Sequence, residues 1–129
     1  MAARAPLVAL LALTACAPAL THPESIADGT IRSIYADDVP HVQRAFAPSM
    51  QPQITAASVK RLSAVMHAFG RYEYVEQIAA VTDLRYDLEA QFAVGSMLVQ
   101  MRLDRSGRIA ALHLMPNAFL KKRVVGTVR

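Results

Sequence analysis

The spacing of apolar residues changes once along this chain, near Gly70, and that change decides the fold class. Upstream, apolar residues recur every three or four positions; downstream they alternate. Val59, Leu62, Met66 and Phe69 form one helical stripe, with Thr55 placed as N-cap and Gly70 at the C′ position. Thr21 and Glu24 have the spacing of a capping box, and Pro23 is tolerated in a first turn, so a helix is predicted from His22 to Tyr35. Ile26, Thr30, Ile31 and Ile34 make its buried face. Asp37 and Asp38 offer N-caps for a shorter helix over Val39 to Ala47, ended by Pro48, with Val39, Val42 and Phe46 on one side. Pro48 to Gln53 reads as irregular.

Beyond Arg71 the period is 2. Leu84, Tyr86, Leu88, Ala90 and Phe92 alternate with Arg85, Asp87, Glu89 and Gln91, and Met97, Val99, Met101 and Leu103 alternate with Leu98, Gln100, Arg102 and Asp104. Val94-Gly95-Ser96 reads as the turn between them. Asp104-Arg105-Ser106-Gly107 turns the chain into a last strand, Arg108 to Met115, stopped by Pro116. An earlier strand, Tyr72 to Val81, is turned back at Val81-Thr82-Asp83. Three helices followed by a four-stranded antiparallel meander predict an α+β domain.

The N-terminus carries a different signal. Arg4 precedes the apolar run Leu7 to Leu13, which falls short of the roughly 20 residues that span a bilayer. It is followed by Leu13-Thr14-Ala15-Cys16, which resembles a bacterial lipobox. The expectation is a signal peptide over residues 1–15, lipid on the thiol of Cys16, a tether over 16–21 and a domain over 22–117. Cys16 is the one cysteine in 129 residues, so stability rests on a core and not on an internal disulfide. Ala17 resembles the pattern of lipoproteins sorted to the outer membrane in Gram-negative cells. The expected location is the cell envelope, membrane-anchored and facing the periplasm, and no nucleic acid partner is expected of an exported chain whose basic residues are scattered. Residues 118–129, with Lys121, Lys122, Arg123 and Arg129, form a basic C-terminal tail.

From Ile26 to Pro116 the chain resembles a family of unknown function within the nuclear transport factor 2-like, or cystatin-like, superfamily. The resemblance is carried by Ile54 to Leu62, by Phe69-Gly70-Arg71-Tyr72, by Phe92 and Met97, and by Leu103 to Ile109 with Leu112 and Pro116. It implies a curved sheet wrapped over helices around a conical pocket. Relatives in that superfamily include isomerases and dehydratases as well as proteins that only bind or dimerise, so fold alone does not assign an activity.

Isomerase or hydratase chemistry needs a carboxylate or histidine inside an apolar pocket, together with a donor such as tyrosine. Glu76 shares parity with Tyr72, Tyr74 and Ile78 and is the weak catalytic candidate; Arg85, Asp87 and Glu89 share the polar face of their strand. His22, His41, His67 and His113 lack metal-ligand spacing, Ser58, Ser63 and Ser96 lack a nucleophile-elbow context, and no cofactor motif is present. The leading expectation is a non-catalytic, lipid-anchored module for an apolar small ligand or a protein partner, with a Glu76 enzyme as the alternative. Leu98, Ile109, Ala111 and Met115 suggest an apolar outer sheet patch suited to a homodimer or to cover by Phe119, Leu120, Val124 and Val125.

Overall fold

The computed structural model describes residues 20–117, so Cys16 and the basic tail lie outside the described residues. Helix α1 spans His22–Tyr35, as the capping box predicts: the Thr21 amide donates to Glu24 Oε1 at 3.0 Å, and Thr21 Oγ1 accepts from the Glu24 amide at 3.4 Å. Asp38 caps α2, Val39–Ala45, which ends two residues earlier than predicted. A 3-10 helix over Pro48–Gln53 replaces the expected irregular stretch. Thr55 caps α3, Ala56–Ala68, in a reciprocal box with Ser58, and Gly70 follows with φ +88°.

The strands β1 (Tyr72–Thr82), β2 (Arg85–Phe92), β3 (Gly95–Leu103) and β4 (Ile109–Pro116) form one antiparallel sheet in the order β1-β2-β3-β4. Helix α1 packs against β1, α2 and α3. Ile31, Ile34, Val59 and Met66 of the helices meet Leu88, Met97, Val99 and Ile109 of the sheet in a continuous core, each fully buried. Each such side chain contributes about 1.5–3 kcal/mol of transfer free energy. The fold is therefore α+β, with helices packed on one face of an open four-stranded sheet.

Three strand-level expectations are corrected. Leu84 is not the first residue of a strand: it sits in the Asp83-Leu84 turn at φ +66°, where its carbonyl accepts the Leu103 amide at 2.9 Å. The second hairpin turns at Ala93-Val94, not at Val94-Gly95-Ser96. Its amides donate to Arg71 and Phe69 carbonyls, each at 2.9 Å, so partners outside the hairpin stabilise a loop without the usual glycine or asparagine. Ile109 does not face outward. A register shift between Arg102 and Leu103 pairs Leu103 with Ile109 and turns Ile109 into the core, leaving Leu98 opposite Met115 on the outer face.

Both sheet edges carry bonds from the helical side of the molecule. On β1 the Gln77 amide donates to Glu24 Oε2 at 2.8 Å. On β4, Phe46 bridges Ile109 in parallel, and the Ala47 amide donates to the Ile109 carbonyl at 2.8 Å. The Gln77 amide, together with that of Thr21, holds the Glu24 carboxyl below its ordinary pKa of 4.5. A depressed folded-state pKa gives stability that is present above the unfolded value and lost as pH falls through the folded one. Thermal melts of wild type and Glu24→Gln should therefore differ at neutral pH and converge below pH 4.5. A gap of constant size down to acid pH would contradict this role.

Candidate functional site

The helices and β4 enclose an apolar cleft of about 220 Å³. Val42 of α2 and Phe46 just after it form one wall, Met50 and Ile54 close the rim, Val59 and Leu62 of α3 form the opposite wall, and Leu112 and Leu114 of β4 lie at the sheet side. Glutamine side chains fix the rim: Gln43 Nε2 donates to the Ile54 carbonyl at 2.8 Å, and Gln51 Nε2 donates to the Phe46 carbonyl at 3.1 Å. Among the described residues the polar members of its lining are Gln53 and Ser58. The Ser58 hydroxyl is already engaged, donating to the Thr55 carbonyl at 2.9 Å and accepting from the Thr55 amide at 3.0 Å. Among the described residues no acidic, basic, tyrosine or cysteine side chain lines this space, and such groups are the ones that general acid or base chemistry uses.

The Glu76 candidate does not reach this cleft. Register shifts between Tyr72 and Tyr74 and again between Gln77 and Ala79 break the alternation of β1. Tyr72 and Val75 consequently both point inward, while Tyr74, Glu76 and Ile78 are exposed, with Glu76 opposite Glu89. Tyr72 is instead committed to structure: its hydroxyl donates to Asp28 Oδ1 at 2.7 Å, and the Arg32 guanidinium lies 5.0 Å from its ring centroid. Burial, reinforced by the Asp28 hydrogen bond, pushes its phenol well above the usual range, so it is no source of a proton or an oxyanion contact.

The four histidines are exposed and separate. His41 pairs with Asp38, the N-cap of α2, a partnership that spacing alone did not reveal. His67 stacks on Tyr35 at 3.8 Å between ring centroids, and its Nδ1 lies 2.8 Å from the Ser63 carbonyl. Ser63 is buried, and its Oγ donates to the Tyr35 carbonyl at 3.2 Å while lying 3.3 Å from His67 Nδ1, so the two side chains tie α3 to α1. His113 stands on the outer sheet face opposite Gln100. Ser96 is fully buried and its Oγ donates to Glu89 Oε2 at 3.0 Å, an oxygen that also accepts from Asn117 Nδ2 at 3.2 Å. Among the described residues no three His, Cys, Asp or Glu side chains gather as a metal site.

No family model, curated protein or solved structure matches the chain. The cleft is thus assigned on its own chemistry. Sequence periodicity marked most of its lining as apolar, but assembling it needs α2, α3 and β4 to meet, which no local pattern specifies.

Proposed function

We propose that this chain is a lipid-anchored module of the bacterial cell envelope, non-catalytic, whose domain has the nuclear transport factor 2-like cone and takes an apolar small ligand into the cleft between α2, α3 and β4. The single observation that carries the binding role is the composition of that cleft, about 220 Å³ of space with aliphatic, aromatic and thioether walls and, among the described residues, no ionisable group. A site of this kind selects by shape and apolar area, and it offers nothing for general acid or base catalysis. Anchoring rests on Leu13-Thr14-Ala15-Cys16, and two or three acyl chains on Cys16 would hold the domain firmly, which one chain does not. Among the described residues no helix is long and apolar enough to cross a membrane, which is compatible with attachment by lipid. Leu20 and Thr21 directly precede α1, so the domain would sit close to the bilayer surface.

The test uses the full chain expressed with its own N-terminus. Protein extracted from membranes should begin at Cys16 and carry the mass of acyl lipid, and Cys16→Ser should leave the membrane fraction. The extracted protein should bind an apolar naphthylamine fluorophore saturably, and Leu114→Lys should weaken that binding at least about tenfold, because a cation replaces a half-buried aliphatic wall. Unchanged binding by Leu114→Lys would remove the cleft from the proposal; an unmodified Cys16 would remove the anchor.

A further inference from the structure

The face of the sheet turned away from the helices carries a second concavity, unrelated to the apolar cleft. Strand register builds it. Arg85 of β2 stands directly opposite Arg102 of β3, and Arg102 is opposite Ala111 of β4. One pair further along the same face, Asp87 opposes Gln100 and Gln100 opposes His113. These groups surround a space of about 240 Å³.

Directly opposed residues of an antiparallel pair have Cβ atoms about 4.5–5.5 Å apart, where like charges destabilise the sheet. Arg85 and Arg102 are both exposed, so an anion that reaches them from solvent would relieve that repulsion. The ion pairs among the described residues are Asp28 with Arg32, Asp38 with His41, and Arg71 with Glu73; none includes Arg85 or Arg102. Among the described residues Asp87 is the one carboxylate in the lining, so two guanidinium groups share a space with a single negative side chain. Small Ala111 leaves room beside the guanidinium groups.

We propose that this concavity binds a phosphate monoester carried by a small hydroxylated molecule. A guanidinium presents a planar fork of donors, and a single carboxylate is filled by one such fork. Two adjacent forks match a phosphoryl group, which has three terminal oxygens and close to two negative charges at neutral pH. The space is several times the ~30 Å³ occupied by one water, so it takes more than the phosphoryl group alone. Asp87 and Gln100 are placed to accept hydrogen bonds from hydroxyls on the remainder. The same phosphate monoester occurs in soluble sugar or glycerol phosphates and in the headgroup of phosphatidic acid.

Calorimetric titration of the purified full chain with glycerol 3-phosphate tests the assignment. Saturable binding is expected, with none for glycerol. Arg85→Gln and Arg102→Gln should each weaken it at least about tenfold, and the double substitution should abolish it. Melting temperatures of these variants should equal or exceed that of wild type because repulsion across the strands is relieved, which separates lost binding from lost folding. Leu114→Lys should bind glycerol 3-phosphate as wild type does, whatever the fate of the apolar cleft. Dihexanoyl phosphatidic acid, used below its micellar concentration, should bind more tightly than glycerol 3-phosphate if the lipid is the source, and no more tightly if the soluble ester is. Absence of saturable binding by wild type, or equal affinity in the double variant, overturns the proposal. Inorganic phosphate binding as tightly as glycerol 3-phosphate overturns its hydroxylated part.

Discussion

Phe92→Ala is expected to destabilise the domain by about 3–5 kcal/mol, a large share of the roughly 5–15 kcal/mol that holds a folded domain together. Phe92 is 4% exposed, and three rings converge on it. Centroids lie 5.4 Å away for Tyr72, 6.0 Å for Phe69 and 6.5 Å for Tyr35, the first two edge-on. Truncation removes the shared partner of β1, α1 and the end of α3 at once, and the space left is bounded by rings that cannot collapse into it without leaving their own contacts. Chemical denaturation should show a lower midpoint with a similar slope, and a loss below about 1 kcal/mol would mean that the aromatic cluster does not join these elements.

Gly95→Ala is the second large effect, and it acts by crowding. An added Cβ would lie 2.8 Å from Phe69 Cδ2 and 3.1 Å from Cε2, and Phe69 is itself pressed against Phe92. The ring must move and the C-terminus of α3 with it, at a cost of about 1–3 kcal/mol. Phe69→Leu in the Gly95→Ala background should recover part of that loss, whereas Phe69→Leu alone should destabilise. Additive effects in this double-mutant cycle would show that the two sites are not coupled.

Gly95 also shows where sequence reasoning loses resolution. A glycine between two alternating runs invites a turn, yet this one lies within β3 because a ring needs its missing side chain. The turn itself falls on Ala93-Val94, where amides are taken up by carbonyls from the α3 to β1 connection, and no residue-level turn signal encodes that. Helix boundaries were far more legible. Thr21 with Glu24, Asp38, and Thr55 are local caps that act within three residues, and α1 begins and ends where they predict. Strand order was legible too, since short connections leave little choice but a meander.

Side-chain direction in the strands was not legible wherever a bulge intervenes. Strict alternation assigned Glu76 inward and Ile109 outward, and register shifts reverse both. The candidate sites follow the same division. The apolar faces of α2 and α3 were visible, but their meeting with Leu112 and Leu114 depends on packing. Arg85 and Arg102 were each placed on a polar face; only the pairing of β2 with β3 sets them against each other.

The partial covers on the two edges of the sheet bear on how copies of this domain would meet one another. Polymerisation by strand addition requires two open borders on every copy, one to receive and one to donate. Here the start of β4 is covered by backbone from Phe46 and Ala47, a cover independent of pH, while Gln77 on β1 is covered by a carboxylate. The two covers therefore differ in their response to acid: protonation of Glu24 weakens the one on β1 and leaves the one at the start of β4 as it is.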